Sequence, residues 1–188
     1  AFTFLFNQAE FGMGCPINVT DGAARLLSRF GDDALKAKYL DGLTQTDMEK
    51  LTQGGQFMTE KEGGSDVGKL TTTAVQDGDH WRLYGEKWFC SNADAKMVML
   101  LARPEGAVGG TQGVGLFLMP RELDDGSPNH YRIVRLKDKL GTRSMASGEI
   151  KLEGAIAYAV GRLDRGFVQM ADMVNNSRLS NGMRSAAM

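Results

Sequence analysis

Cysteine and histidine are scarce, two of each in 188 residues. Cys15 and Cys90 stand far apart, with no CxxC spacing and no adjacent histidine, which argues against a disulfide scaffold and a metal centre. That usage fits a reducing cytoplasm. His80 and His130 both sit beside turn residues, so neither is expected as a ligand or base. No apolar run approaches the ~20 residues needed to cross a bilayer, so no membrane is expected. The opening AFTFLFNQAE lacks the basic start of a signal peptide. An excess of either charge is missing too: 22 Lys and Arg face 23 Asp and Glu. Nothing in that balance favours nucleic acid, and a small molecule is the expected partner. The first residue is not methionine, and NGMRSAAM ends without a helix-terminating glycine, so both ends read as internal to a longer chain.

What is present divides by periodicity. TDGAARLLSRFGDD carries Thr20 or Asp21 as a cap, Leu26, Leu27 and Phe30 at helical spacing, and Gly31 at the stop. Asp32 or Asp33 caps a second helix, DALKAKYLDGL, with Gly42 at its end. After Gly68 the pattern alternates. Asp77-Gly78-Asp79 predicts a hairpin, a second turn is expected at Gly85, and KMVMLLAR, GVGLFLMP, HYRIVRL and SGEIKLEGAIAYAV read as further short strands. From Gly166 the helical period returns. The expected fold class is α+β, an antiparallel β-barrel or sandwich flanked by helical segments. The expected units are 1–54, 55–163 and 164–188.

The stretch QFMTEKEGGSDVGK, residues 56–69, joins the helical and β regions. Met58 and Thr59 fall at the end of a first strand, and Gly63, Gly64 and Ser65 form a loop whose amides and hydroxyl could hold a phosphate. A glycine-rich surface turn explains the same residues, and spacing alone favours it.

Four collinear blocks carry a resemblance. MTEKEGGSDV, YGEKWFCSNAD, LKDKLGTRSMASGEI and GFVQMADMVNNSRLSNG are similar in order and spacing to the signatures of the acyl-CoA dehydrogenase family. With CPINVT, they look closest to its AidB-like branch, flavoproteins of the alkylation-damage response. The resemblance spans roughly residues 15–188 and implies a β-barrel middle domain that binds FAD and acyl-CoA. Met58 and Thr59 match positions touching the flavin ring. Gly64 and Ser65 match the loop at the cofactor phosphates and acyl-CoA chain. Phe89, Cys90 and Ser91 match the segment against the flavin, with the Ser91 hydroxyl at N5. Arg178, with Asn175 one turn earlier, matches the helix arginine near substrate. Core packing for Trp88 and Phe89, a turn role for Ser91-Asn92, and a solvated Arg178 stand as alternatives.

The chain departs from the family pattern at Lys61, Phe89 and Ser91, where proline, tryptophan and threonine are usual. The resemblance implies α,β-dehydrogenation of an acyl-CoA thioester, with hydride passing to flavin N5. The catalytic glutamate is expected beyond Met188, so no catalytic residue is assigned here, and the isolated chain is expected to bind FAD weakly without turnover. Electron-transferring flavoprotein is the implied acceptor and a homo-oligomer the implied assembly. An AidB-like parent would bind DNA through a domain outside this chain, and a flavin-free β module is the remaining possibility. The basic run from Arg132 to Arg143 is assigned no site.

Overall fold

The computed structural model describes residues 2–188. Three helices come first: α1 (Phe2–Ala9), α2 (Gly14–Phe30) and α3 (Asp33–Leu43). Seven strands follow: β1 (Gly54–Phe57), β2 (Thr73–Asp77), β3 (His80–Ser91), β4 (Met97–Pro104), β5 (Gly115–Pro120), β6 (Tyr131–Leu136) and β7 (Ser147–Ala159). The long α4 (Gly166–Ala187) closes the order. No helix among the described residues is long and apolar enough to cross a membrane.

Asp32 caps α3 as expected, its carboxylate accepting from Leu35 N at 2.8 Å. The cap expected for the preceding helix is corrected, because Thr20 and Asp21 lie inside α2. Pro16 sits in the first turn of α2, where its missing N–H leaves no bond unmade. The Glu10 carboxylate accepts from Gly12 N at 2.7 Å and Met13 N at 3.1 Å, serving the amides at the entry to the helix. Gly42 lies in the last turn of α3, one residue before its end.

The sheet is mixed, which corrects the antiparallel expectation. β1 and β2 both run parallel to β4, while β2–β3, β4–β5, β5–β7, β3–β7 and β6–β7 are antiparallel. The pairings β3–β2, β2–β4, β4–β5, β5–β7 and β7–β3 form a cycle. β1 and β2 lie end to end between β3 and β4: β1 pairs Met97 to Leu100, and β2 pairs Arg103 and Pro104. Residues 58–72 are therefore an excursion that leaves the sheet and returns to the same slot.

The turn expected at Gly85 does not exist; β3 runs unbroken from His80 to Ser91. Gly85 has φ +142°, and a Cβ there would stand 2.8 Å from Thr72 Cα. The glycine allows close backbone approach where the excursion rejoins the sheet. The hairpin at Gly78-Asp79 is present, with Asp77 paired to His80.

Two apolar layers enclose β4. Met97, Met99 and Leu101 pack towards α2, α3 and α4, whereas Val98, Leu100 and Ala102 face the sheet interior with Phe57, Leu83, Cys90 and Phe117. Burial on both faces explains the continuous apolar run of KMVMLLAR. Gly54 lets α2 sit directly on β1, since a Cβ there would meet Ala23 Cβ at 2.9 Å.

Candidate functional site

The excursion begins Met58-Thr59-Glu60, and Glu60 anchors it. Its carboxylate accepts from Thr71 N at 2.6 Å, Thr71 Oγ1 at 2.9 Å, Thr72 Oγ1 at 2.6 Å and Lys87 Nζ at 2.6 Å. Lys87 also donates to the Leu101 carbonyl of β4 at 2.7 Å. The pair thus fills the gap between β1 and β2, joining both ends of the excursion to β3 and β4. Trp88 N donates to the Thr59 carbonyl at 2.8 Å, fixing the residue just before Glu60. Burial by itself raises the Glu60 carboxyl, but the Lys87 charge and the hydrogen bonds from Lys87, Thr72 and Thr71 outweigh it and hold it below the usual carboxylate range. Burial pulls the Lys87 ammonium down, opposed by Glu60.

Beside this anchor lies a cavity of about 210 Å³ with two walls. Gln56, Met58, Thr59, Phe89 and Ser91 form the sheet wall; Cys15, Asn18 and Val19 of α2 with Ser177 and Arg184 of α4 form the helix wall. Gln56 and Ser91 are direct cross-strand partners of β1 and β3. Asn18 Nδ2 donates to Ser177 Oγ at 2.8 Å, tying α2 to α4 along the helix wall.

A bulge sets the sheet wall. Lys87 pairs with Ile150 and Cys90 with Gly148, so β3 advances three residues while β7 advances two. The extra residue at Trp88-Phe89 changes the alternation, so that Lys87 and Cys90 both point inward while Phe89 and Ser91 reach the cavity. Bulges re-aim side chains in this way beside binding sites. Phe89 is 56% exposed on that wall, an open place for a large ring.

Four of the expected residues, Met58, Thr59, Phe89 and Ser91, therefore line one cavity. Cys90 is corrected: its side chain is buried in the sheet core, and burial pushes its thiol up to about 12 against the opposing charges of Lys87 and Lys137. Gly64 and Ser65 are exposed on the excursion, outside the cavity lining. Asn175 and Arg178 are exposed on α4, and the α4 residues in the lining are Ser177 and Arg184. Arg184 escapes a reading of the sequence because its apolar neighbours Met183 and Ala187 give no signal of a buried cation. Cys15 and Asn18 escape it because the capping signal at Thr20 and Asp21 starts the helix too late.

The basic run is engaged internally. Arg135 and Lys137 both contact Glu149 at 2.8 Å, and the Lys137 ammonium lies 3.4 Å from the centre of the Trp88 ring. A larger cleft of about 640 Å³ runs between α2, residues 44–53 and the loop at Ser144–Ala146, and holds none of the expected site residues.

The chain is 40% identical to acyl-CoA dehydrogenase family member 11 of Caenorhabditis elegans, over 97% of this chain and 31% of that protein. It is 37% identical to the putative acyl-CoA dehydrogenase AidB of Escherichia coli K12, over 98% of this chain and 35% of that one. These values do not single out the AidB-like branch. The structure of C. elegans ACDH-11 in complex with C11-CoA superposes with a TM-score of 0.86 at 39% identity, over 93% of this chain and 31% of that one. The chain spans about a third of the length of the curated relatives it matches. The family model described as acyl-CoA dehydrogenase, middle domain, matches residues 55–155. With more than half of its length in that match, the chain belongs to the acyl-CoA dehydrogenase family.

Proposed function

We propose that this chain is the flavin- and thioester-binding part of an FAD-dependent acyl-CoA dehydrogenase that introduces an α,β double bond into acyl-CoA. The observation that carries this reading is the single cavity lined by Met58, Thr59, Phe89 and Ser91. Its sheet wall offers a carboxamide, two hydroxyls and an exposed ring, a donor set suited to a flat heterocycle with polar edges. Thr59 and Ser91 would hold the polar edge of the flavin, and Phe89 would cover its face. Bound FAD supplies the hydride acceptor. The helix wall then faces the acyl group, with α2 and α4 orienting it and keeping water from the reacting carbons.

The cavity is smaller than the ~300–1,000 Å³ of a complete small-molecule site. We therefore assign this chain one side of the site, with units 1–54, 55–163 and 164–188 completed by further protein that carries the base. The cyclic strand pairing supports a barrel for the middle unit. Gly64 and Ser65 are retained as contacts for the phosphate-bearing tail, and Asn175 and Arg178 as outer substrate contacts. Electron-transferring flavoprotein is the proposed acceptor. Exposed Phe2, Leu5 and Leu140 support a homo-oligomer. Free Cys15 and Cys90 fit a reducing cytoplasm.

The test is a visible absorbance spectrum of the purified protein, before and after FAD and then acyl-CoA. A flavin absorbance band that shifts when the protein is added, and shifts again with thioester, supports the reading. A FAD spectrum that excess protein leaves unchanged overturns it.

A further inference from the structure

Arg184 is 8% exposed and lines the helix wall of the cavity. Its guanidinium donates from Nη2 to Asn181 Oδ1 at 3.1 Å and stands 5.3 Å from the Phe11 ring centre. Its Nε is buried and has no acceptor among the described residues. No carboxylate among those residues pairs with it, whereas the other deeply buried cation, Lys87, has Glu60. Burying a guanidinium without an anion is destabilising, because its charge loses hydration and gains no counter-charge in return. A fold keeps such a residue where something outside the fold completes it.

The position favours a ligand as that partner. The helix wall sets Asn18, Ser177 and Cys15 beside Arg184 and the apolar Val19, so it offers polar atoms where a plain alkyl chain would need hydrocarbon alone. We propose that Arg184 is a specificity-determining residue that binds an anionic oxygen on the acyl group, directing the site to acyl thioesters bearing a carboxylate-like substituent rather than unsubstituted chains. This rests on the reading of the cavity as a thioester site. One competing partner sits nearby: Asn7 Oδ1 is also buried without a donor, and a Cβ on Gly14 would meet both Asn7 Oδ1 at 2.3 Å and Arg184 Cδ at 2.7 Å. Asn7 is neutral, so it cannot supply the missing charge.

The experiment compares binding of adipoyl-CoA and hexanoyl-CoA by calorimetry, in the FAD-loaded protein and in Arg184→Leu, Arg184→Lys and Asn7→Ala, with thermal unfolding of each ligand-free protein. Wild type prefers adipoyl-CoA, Arg184→Leu reverses that preference by about tenfold or more, and Arg184→Lys retains part of it. Arg184→Leu also unfolds no earlier than wild type, because it removes an unpaired buried charge. Asn7→Ala leaves the preference unchanged. An unchanged adipoyl-to-hexanoyl ratio in Arg184→Leu, with both thioesters still bound, overturns the proposal alone. So does a shared loss of stability in Arg184→Leu and Asn7→Ala, which would make the contact internal. Failure of wild type to bind either thioester overturns the thioester reading and this proposal with it.

Discussion

Lys87 Nζ lies 2.6 Å from Glu60 Oε1, and both side chains are almost wholly shielded from water. The contact joins the excursion 58–72 to β3 at the gap that β1 and β2 leave, one residue from Thr59 on one side and from Trp88 on the other. Replacing Lys87 by methionine leaves a buried carboxylate with no counter-charge, so a loss of about 3–5 kcal/mol is expected. The double variant Glu60→Gln, Lys87→Met should recover a large part of that loss. Urea unfolding of wild type, the single variants Lys87→Met and Glu60→Gln, and the double variant measures the coupling, and additive losses would rule out a direct pair.

The same pair sets an acid limit. The Glu60 carboxyl is lowered in the folded protein from its ordinary 4.5. A carboxyl depressed by folding contributes stability above its unfolded pKa, and that stability is lost as pH falls through the folded value. Asp172, held low by Arg25 and Arg29 against its own burial, acts with the same sign. Unfolding temperature should be level above about pH 5 and fall below it. Glu60→Gln should flatten that fall in part, leaving the share carried by Asp172, Glu149 and the other carboxyls lowered by their partners. A slope identical to wild type would show that Glu60 is not ionised in the fold.

Much of this fold is legible because periodicity and turn residues act locally: Asp32 caps α3, Gly78-Asp79 turns the hairpin, and α4 starts at Gly166 as its apolar spacing indicates. The parallel pairing of β1 and β2 with β4 is not local. It depends on which slot the chain returns to after residue 72, and nothing in the alternation of KLTTTAVQD encodes that. Thr59 and Ser91 could be named from a motif, but the bulge at Trp88-Phe89 that turns Ser91 rather than Cys90 to the cavity lies in the register with β7. Arg184 is hidden in the sequence because an arginine late in a helix is usually solvated, and only the packing of α1 and α2 buries it.

Gly85 offers a direct check of its reassignment from turn to close approach. Gly85→Ala forces a side chain into a backbone region with φ +142° and against Thr72 Cα. The expected loss is about 1–3 kcal/mol. Gly182 makes the contrast: it is exposed within α4, and a methyl group there would meet nothing within 4 Å. Gly182→Ala should stabilise by about 0.5–1 kcal/mol through helix propensity. Thermal unfolding separates the two, and a neutral Gly85→Ala would return that residue to an ordinary strand position.

Adjacent residues on β3 should separate binding from folding. Ser91 lines the cavity and Cys90 lies in the sheet core, because the bulge at Trp88-Phe89 sets their directions. Removing the Ser91 hydroxyl deletes one hydrogen bond to the proposed cofactor, so Ser91→Ala should weaken FAD binding by about 3–10-fold, and Thr59→Val similarly, with little change in unfolding. Cys90→Ser places a hydroxyl among apolar side chains and should cost about 1–3 kcal/mol of stability while leaving FAD affinity intact. Thiol accessibility gives a second readout: half-buried Cys15 should react with iodoacetamide in the native protein, and Cys90 only after unfolding. If Cys90→Ser instead lowers FAD affinity as much as Ser91→Ala does, the two side chains share the site and the register with β7 cannot be what divides them.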